Sequence, residues 1–297
     1  MNTLPATPCF LNGDYTPLCD AKISVMDRGF IFGDGIYEVV PVYGGRLFRF
    51  PQHMQRLERS LLELRISNPY QRDQWQAIAH QLVGHGATAA GAPATDFDQI
   101  VYLQVTRGVA LRDHVMPTDI TPTVFAMASV MRPPSPAQRA QGVACVSADD
   151  FRWEKAHIKT TSLLGAVFAR QISYDLGATE TVMFRQGYLS EAAASNVWVV
   201  KNGTVIGVPK NNLVLEGIRF GLIEEICQAV GLAFELRRLS RAEVLDADEL
   251  LLSSATKEVL AITSLDGQPV GHPSHRGQPG PVVARLHAAY QDAKRSS

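Results

Sequence analysis

The stretch YEVVPVYGGRLFRF, residues 37–50, sets the folding pattern of the first third of the chain. Two β-rich runs, 37–43 and 46–50, are separated only by Gly44-Gly45, a two-residue connection typical of a tight hairpin. Beyond Pro51, apolar residues recur at helical spacing, which predicts an amphipathic helix. These apolar residues are Met54, Leu57, Leu61 and Leu64. The chain therefore begins by mixing strands with helices.

The pattern continues over the next eighty residues or so. A second helix is predicted from near Asp73 to Gly84. Its apolar face is formed by Trp75, Ile78, Leu82 and Val83. Residues 86–98 are mostly small and show no period, so we expect a surface loop. The continuous apolar runs 100–105 and 123–130 predict strands that are buried on both faces.

The segment Arg132-Pro133-Pro134-Ser135-Pro136 has three prolines in four residues, which interrupts helices and strands alike. We place the domain boundary there. The prediction is a small α/β domain over residues 1–131, a Pro-rich linker over 132–137 and a larger domain over 138–297.

The second half also mixes the two element types. A helix is predicted over residues 162–176, a hairpin at Asn202-Gly203, and a further helix from about 217 to 230. Coil rich in Pro and Gly fills residues 272–281 before a short C-terminal helix. We see no internal repeat, and the order of elements indicates an α+β fold rather than a doubly wound sheet.

Composition excludes several classes of protein. The 297 residues are 46% hydrophobic and 19% charged, so the chain can bury a large core. The 28 Lys and Arg residues nearly balance the 29 Asp and Glu residues, which argues against nucleic acid or an anionic membrane as a partner. No apolar run is long enough to span a bilayer. Four cysteines without a CxxC pair predict reduced thiols in a soluble cytoplasmic protein.

Several common catalytic signatures do not occur in the sequence. A GxGxxG motif after a strand, GxxxxGK[ST], HExxH and GxSxG are all missing. His272-x-x-His275 lies in Pro- and Gly-rich coil without cysteine or carboxylate partners, so we expect no metal site.

Three sets of polar residues stand inside segments that are otherwise built for packing. Lys159 directly precedes an apolar helix, and partial burial lowers the pKa of a lysine toward the neutral amine that Schiff-base chemistry needs. Glu191 precedes three alanines, whose small side chains leave room for a flat ring. The loop Arg112-Asp113-His114 offers donors suited to a carboxylate ligand. From the residues alone, a surface lysine, a turn glutamate and an ordinary charged loop remain the alternatives.

Together, these segments resemble the D-amino-acid aminotransferases, members of the fold-type-IV, branched-chain aminotransferase-like enzymes that use pyridoxal 5′-phosphate (PLP). The matching motifs follow the family's order along almost the whole chain. They are DRGFIFGDGIYE (27–38), HMQRL (53–57), QVTRG (104–108) with Arg112-Asp113-His114, IK (158–159), LLGAV (163–167), EAAASN (191–196), LEGI (215–218) and SSATKE (253–258).

The resemblance implies a PLP site with a role for each motif. Lys159 is the expected covalent link to the cofactor and the carrier of a proton during catalysis. Glu191 is expected to pair with the pyridine nitrogen, and Arg56 to bind the phosphate. Backbone N–H groups near Ile218-Arg219 and Ser254-Ala255 are expected to complete the phosphate site.

The resemblance also implies a substrate class. Tyr37, Arg112 and His114 match the family's site for the substrate carboxylate, with Arg112 and His114 supplied across a homodimer interface. The Arg-x-His pair distinguishes the D-amino-acid enzymes from the branched-chain aminotransferases. We therefore expect D-amino acids such as D-alanine and D-glutamate to react with 2-oxo acids such as 2-oxoglutarate or pyruvate.

Some positions depart from the family pattern. Ala192-Ala193-Ala194 stand where the family often has Gly-Ser-Ser, and Arg219 and Ala255 stand where threonines commonly help to bind phosphate. Arg219 is itself a candidate for binding phosphate, which otherwise depends more on backbone N–H groups and Arg56.

The fold implied by the resemblance is a small α/β domain and a larger β-barrel-like α/β domain, with the cofactor in the cleft between them. Three other functions stay open. A branched-chain L-aminotransferase shares the lysine and the glutamate but has no need of Arg112 and His114. The others are an aminodeoxychorismate-lyase-like PLP enzyme, and a non-catalytic PLP-binding protein that would have lost Lys159 or Glu191.

Overall fold

The computed structural model describes residues 4–295. Contacts divide these residues into two compact units. Unit 1 contains the described residues up to Arg132 together with Ile158–Leu163, and unit 2 contains Pro133–His157 and the described residues from Leu164 onward. The division at residues 132–137 predicted from the prolines did not anticipate that Ile158–Leu163 joins unit 1.

Unit 1 is built on one sheet with helices packed against it. Its helices in the described residues are α1 (Arg28–Phe32), α2 (Phe50–Glu63) and α3 (Arg72–Ala90). Its strands are β1 (Pro8–Leu11), β2 (Asp14–Pro17), β3 (Gly35–Tyr43), β4 (Arg46–Leu47), β5 (Gln99–Thr106) and β6 (Thr123–Val130). The strand order is β2-β1-β6-β5-β3-β4, and each neighbouring pair is antiparallel. Apolar side chains of α2, α3 and the sheet form one buried cluster.

The predicted hairpin at Gly44-Gly45 is confirmed as β3–β4, and the amphipathic helix is confirmed as α2. The strand predicted over residues 46–50 is too long, because Phe50 is already the first residue of α2 and Pro51 favours a helix start. The burial of β5 on both faces is also wrong. Its residues alternate between buried and partly exposed, as expected for an antiparallel sheet with helices on one face.

The end predicted for the second helix at Gly84 is wrong, and the loop predicted at 86–98 is confirmed only for residues 91–98. Helix α3 runs through Gly84 to Ala90 and ends at Gly91, whose φ of 64° caps the helix. A single glycine costs a helix only about 1 kcal/mol, and the packing of Trp75 and Leu82 in the core outweighs that cost. Tertiary contacts therefore decide the length of this helix.

Unit 2 contains a larger, mixed sheet and five helices among the described residues. The helices are α4 (Pro136–Gln141), α5 (Leu164–Asp175), α6 (Ile218–Ala229), α7 (Arg241–Leu245) and α8 (Pro281–Arg295). The strands are β7 (Val143–Asp149), β8 (Glu180–Arg185), β9 (Tyr188–Ala192), β10 (Asn196–Lys201), β11 (Thr204–Gly207), β12 (Ala233–Leu236), β13 (Glu249–Ser254), β14 (Glu258–Leu265) and β15 (Gln268–Pro269). The strand order is β12-β11-β10-β13-β14-β7-β8-β9, with β15 paired to β14, and the sheet curls into a half-barrel.

The sequence predictions for this unit are confirmed in outline. Asn202 and Gly203 have φ values of 51° and 75° and connect β10 to β11, as a tight hairpin requires. The predicted helices over residues 162–176 and 217–230 correspond to α5 and α6. Pro136, assigned to the linker, is the first residue of α4, where a missing N–H costs nothing. Within residues 4–295, no helix combines the length and apolar character that crossing a bilayer requires.

Candidate active site

Lys159 lies on the segment Ile158–Leu163, which pairs with the beginning of β3 in unit 1. The N–H of Tyr37 donates to the Lys159 carbonyl at 2.9 Å, and the N–H of Thr161 donates to the Gly35 carbonyl at the same distance. The Lys159 side chain is half-buried, and its Nζ lies 3.9 Å from the centre of the Tyr37 ring. An ammonium over a ring face is attracted by the ring's quadrupole. The lysine predicted to be catalytic and the predicted substrate-binding tyrosine are thus neighbours.

Hydroxyl groups anchor this segment to the glycines of the DRGFIFGDGIYE motif. The hydroxyl of Thr160 donates to the Gly35 carbonyl at 3.0 Å, and those of Thr161 and Ser162 donate to the Gly33 carbonyl at 2.9 Å. Gly33 has a φ of 65°, and a Cβ at Gly33 would lie 2.6 Å from the Ser162 hydroxyl oxygen. Only glycine allows both that conformation and that close approach. The motif therefore positions the lysine segment.

Tyr37 belongs to an aromatic and polar face of the unit 1 sheet. Its ring stacks on that of Tyr102, with 5.7 Å between centroids, and the Tyr102 hydroxyl donates to Gln104 Oε1 at 2.6 Å. Burial, and then the neighbouring Tyr37, raise the pKa of Tyr102 to about 12, so its hydroxyl stays a donor at neutral pH. Tyr102 is not among the site residues predicted from the sequence, and Gln104 was noted only as part of the QVTRG motif.

Arg56 lies on α2 and is buried in an ion pair. Its Nε and Nη2 donate to the two oxygens of Glu38 at 2.6 and 2.8 Å, and His53 Nδ1 lies 2.8 Å from Glu38 Oε2. Burial alone would raise the pKa of Glu38, but Arg56 and His53 outweigh burial and hold it well below its usual range. The Arg56 guanidinium is therefore held in one orientation.

Arg112 and His114 come together around Phe32. The Arg112 guanidinium lies 5.5 Å from the Phe32 ring centre, and the His114 and Phe32 centroids are 5.5 Å apart. Both polar side chains are exposed in the described chain. Arg28 anchors their loop, because its Nη1 donates to the Asp113 carbonyl at 2.6 Å. Arg112 and His114 thus both lie beside the Phe32 ring.

Glu191 is the central charged residue of the predicted cofactor site in unit 2. It lies on β9 and is 4% exposed. Its Oε1 accepts from Arg152 Nη1 at 2.5 Å, its Oε2 accepts from Asn196 Nδ2 at 3.2 Å, and the Leu215 N–H bridges both oxygens at 3.2 and 3.3 Å. Burial raises the pKa of Glu191, against the opposing effect of Arg152. The carboxyl group is therefore fixed in place but is a better proton acceptor than an exposed glutamate.

Arg152, which the sequence analysis missed, orients Glu191. Its Nε and Nη2 donate to the two oxygens of Asp150 at 2.9 Å, leaving Nη1 directed at Glu191. Burial would raise the pKa of Asp150, but Arg152 outweighs it and the net shift is downward. Burial would lower the pKa of Arg152, but Asp150 and Glu191 outweigh it and the net shift is upward, so Arg152 stays charged. The spacing Asp150-x-Arg152 was the available signal, yet it lies in irregular backbone where no periodicity draws attention to it.

Asn196 gathers the remaining predicted residues of unit 2. Its Nδ2 also donates to the Leu215 carbonyl at 3.0 Å, and its backbone pairs with Ser253, the neighbour of Ser254. Gly217 is the N-cap of α6, and a side chain there would clash with the Asn196 amide. The start of α6, with Ile218, and the turn after β13 therefore converge on the residue that binds Glu191.

The side chain of Arg219 is turned into the protein. It is 2% exposed, and its Nε and Nη2 donate to the Tyr290 hydroxyl at 3.3 and 3.1 Å. Within the part of the chain that the structure describes, no side chain caps the start of α6, so the positive end of the helix dipole and the N–H groups of Ile218 and Arg219 suit an anion. The Ser254 hydroxyl accepts from the Lys257 N–H at 3.0 Å, which closes the turn that contains Ala255.

These residues fit a flat, anionic ligand with a basic ring nitrogen. Buried Ala192 and Ala193 adjoin Glu191, and the start of α6 supplies N–H groups for an anionic end. PLP has this shape and charge. Among residues 4–295, no three His, Cys, Asp or Glu side chains are grouped as metal ligands. The predicted residues thus form two sets: Lys159, Tyr37, Arg56, Arg112 and His114 in unit 1, and Glu191, Ile218, Arg219, Ser254 and Ala255 in unit 2.

Comparison with protein families assigns the class. The model of the family described as amino-transferase class IV matches residues 35–265, which is most of the chain. The protein belongs to the class IV aminotransferases.

Curated relatives are similar over nearly the whole length. The chain is 33% identical over 282 residues to a D-alanine aminotransferase of Bacillus licheniformis, covering 95% of each chain. It is 33% identical over 284 residues to a D-alanine aminotransferase of Staphylococcus aureus strain COL, covering 95% of this chain and 96% of the relative.

Solved structures confirm the fold. The Escherichia coli branched-chain amino acid aminotransferase superposes with a TM-score of 0.84 at 23% identity, over 97% of this chain and 94% of that one. The branched-chain aminotransferase of the thermophilic archaeon Thermoproteus uzoniensis, solved with norvaline, gives 0.80 at 20% identity, over 96% and 93%. The predicted fold type IV is therefore confirmed.

Proposed function

We propose that this enzyme uses PLP to transfer the amino group of D-amino acids, such as D-alanine and D-glutamate, to 2-oxo acids such as 2-oxoglutarate or pyruvate. The observation that carries the proposal is the environment of Glu191: a buried carboxyl group, held by Arg152, Asn196 and a backbone N–H, beside alanines that leave room for a ring. The 33% identity to D-alanine aminotransferases over 95% of the chain supports the same function.

Glu191 would accept a hydrogen bond from the pyridine nitrogen of the cofactor. In its ionised form, Glu191 would favour the protonated ring nitrogen through its negative charge. A protonated ring is the form of PLP that best accepts electrons. When bound, PLP supplies the electron sink that stabilises negative charge at the substrate α-carbon.

Lys159 would hold the cofactor covalently and then act as the base. Once the substrate amine has replaced it, the Lys159 amine would take the proton from the substrate α-carbon and later give it up within the same site, so one amine would serve both proton transfers. The backbone bonds of the lysine segment to β3 support this role, because they fix the position of the Lys159 Cα while the side chain moves. The Tyr37 ring, 3.9 Å from the Lys159 Nζ, would pack against the amine on one side.

The phosphate would bind to main-chain donors and to Arg56. The side chain of Arg219 is engaged with Tyr290, which supports a contribution from its N–H, and that of Ile218, rather than from its guanidinium. The turn that contains Ser254 and Ala255 adds further N–H groups, and Ala255 brings no hydroxyl. The bidentate pairing with Glu38 holds Arg56 rigidly.

The substrate carboxylate would bind to Tyr37, Arg112 and His114. Arg112 and His114 are exposed and stand together on an anchored loop, which supports their supply to the active site of a second subunit. If they hold the carboxylate on one side, an L-substrate would present its side chain to those donors and leave them without a partner. Loss of such a contact costs about 2–5 kcal/mol, which favours D-substrates by at least tenfold.

A homodimer would bury the exposed apolar residues that both units carry. In unit 1, the loop around Arg112 exposes 88% of Leu111 and 72% of Val115. In unit 2, α5 exposes Leu164, Val167 and Phe168 by more than half. Apolar side chains grouped on a surface in this way mark interaction sites. The four cysteines are free thiols, which supports the cytoplasmic location.

A paired assay tests the function. D-alanine and L-alanine are each incubated with 2-oxoglutarate and PLP, and pyruvate formation is measured, with the Lys159→Ala variant as the control for background. We expect pyruvate from D-alanine and at least about tenfold less from L-alanine. Preference for L-leucine or L-valine over every D-amino acid would refute the D-assignment. Pyruvate released from aminodeoxychorismate without a 2-oxo acid acceptor would identify a lyase instead.

A further inference from the structure

Glu180, at the start of β8, is a fully buried carboxylate that the proposed mechanism does not use. Its Oε2 accepts from Lys257 Nζ at 2.8 Å and from the Ser195 hydroxyl at 3.1 Å. The Glu180 side chain is 0% exposed and that of Lys257 is 19% exposed. A buried carboxylate destabilises the fold unless it is paired and hydrogen-bonded. The stability of the fold therefore depends on both donors to Glu180.

Each donor belongs to a turn that adjoins a predicted cofactor residue. The Ser195 carbonyl accepts from the Ala192 N–H at 2.8 Å, which closes the turn between Glu191 and Asn196. Lys257 closes the other turn, because its N–H donates to the Ser254 hydroxyl at 3.0 Å. Glu180 thus joins the turn beside the pyridine partner to the turn expected to bind the phosphate.

We propose that the Lys257–Glu180 ion pair, with Ser195 on the same carboxylate oxygen, sets the separation between these two turns and thereby determines the affinity for the phosphate end of PLP. The inference rests on the proposed function, since it assumes that PLP is the cofactor. Lys257 is a positioning residue in this account, because it acts through the turns that contact the cofactor.

The surrounding residues explain why this chain needs the ion pair. Ala192, Ala193 and Ala194 offer no hydroxyl to brace the first turn, and Ala255 offers none in the second. Ser195 and Ser254 brace the two turns through their hydroxyls, and both connect to Lys257 or its partner. An ionic bond between buried groups is stronger than the neutral bonds that those alanines cannot make.

The test compares two ligands that differ only at the phosphate end. The full-length protein, freed of cofactor, is titrated with PLP and with pyridoxal, which lacks the phosphate, and Kd is measured by absorbance and tryptophan fluorescence. The variants are Lys257→Met and, as rescue, Lys257→Arg. Lys201→Met is the matched control, because Lys201 pairs with Asp246 and Asp248 at the surface of the same unit.

We expect Lys257→Met to weaken PLP binding by about tenfold or more while changing pyridoxal binding by less than about threefold, since misplacement of binding groups by an ångström has effects of this size. Lys257→Arg should restore affinity, and Lys201→Met should match the wild type. Equal losses for both ligands, or an unchanged Kd for PLP, would overturn the proposal.

A double variant without either charge tests the proposal if the Lys257→Met protein does not fold. The double variant Glu180→Gln/Lys257→Met removes both charges and keeps an acceptor for Ser195, so it leaves no unpaired carboxylate. Its ratio of PLP to pyridoxal affinity should fall in the same way, and a wild-type ratio would overturn the proposal. Failure of the proposed function is distinct: a wild-type protein that binds PLP tightly without transaminating keeps this inference and loses the function.

Discussion

Replacement of Arg152 by methionine tests how unit 2 holds Glu191. Arg152 donates to Asp150 at 2.9 Å twice and to Glu191 at 2.5 Å, and its side chain is 11% exposed. Removal of one partner from a buried ion pair costs about 3–5 kcal/mol, because the other charge is left uncompensated. Here two carboxylates lose a partner, although Asn196 and the Leu215 N–H still donate to Glu191. We therefore expect a loss of about 3–5 kcal/mol in the free energy of unfolding at pH 8.

The pH dependence of this loss follows from the pKa shifts. Burial already raises the pKa of Glu191, and without Arg152 it rises further. A carboxyl group with a raised pKa in the folded state destabilises the fold above that pKa, and protonation relieves the cost as pH falls. Arg152 also lowers the pKa of Asp150, which stabilises the wild type at neutral pH; the variant loses this contribution of Arg152, although Arg185 still lies 3.4 Å from Asp150. The difference in free energy of unfolding between the wild type and the variant should therefore become smaller as the pH falls from 8 to 5.

Urea denaturation of the cofactor-free protein at pH 5, 6.5 and 8 measures both effects, since bound PLP would add its own stabilisation. Arg237→Met is the control. Arg237 pairs with Glu243 in unit 2, but the two side chains are 36% and 44% exposed, so the loss should stay below about 1 kcal/mol. A loss below about 1 kcal/mol for Arg152→Met at pH 8, or a variant that follows the wild type with pH, would refute the reasoning.

Four further predictions concern single residues. Lys159→Ala should lower D-alanine turnover about a thousandfold or more with an unchanged circular dichroism spectrum, and a variant with a tenth of wild-type activity would remove the lysine from its role. Glu191→Gln should slow α-proton removal about a hundredfold, visible as a larger isotope effect with α-deuterated D-alanine; an unchanged rate would contradict the pairing with the ring nitrogen. Arg112→Ala should raise KM for D-alanine about 10–100-fold and leave Kd for PLP unaltered, whereas parallel losses would place Arg112 at the cofactor. Gly217→Ala should destabilise the protein by about 1–3 kcal/mol in urea, because its Cβ would displace the Asn196 amide, and a neutral result would show that the start of α6 is free to shift.

Local chemistry allowed the hairpins and most helices to be predicted from the sequence. Gly44-Gly45 and Asn202-Gly203 specify their turns through backbone conformations that few other residues adopt. The end of α3 could not be read in this way. Gly84 is a typical helix terminator, yet packing against the sheet carries the helix on to Gly91.

The residues of the candidate site also differ in whether the sequence reveals them. Lys159 and Glu191 were found through their unusual sequence surroundings and through the family motifs. Arg152 was missed, because its importance comes from two acids in space and not from a motif of its own. The direction of the Arg219 side chain was also beyond the sequence, since Tyr290, the group that holds it, lies 71 residues away on α8.

The membership of Ile158–Leu163 in unit 1 has a consequence for synthesis and for dissection of the gene. Thr160 bonds to Gly35, 125 residues earlier, so a ribosome adding about 5–20 residues per second completes this contact roughly 6–25 s after β3 is made. A gene cut at the prolines would express unit 1 without Lys159, and would express unit 2 with Lys159 on a segment that lacks β3 as its partner. The two halves could regain the contact only by reassociating. Lys159 is encoded in the second half of such a divided gene, whereas β3, to which its segment is bonded, is encoded in the first half.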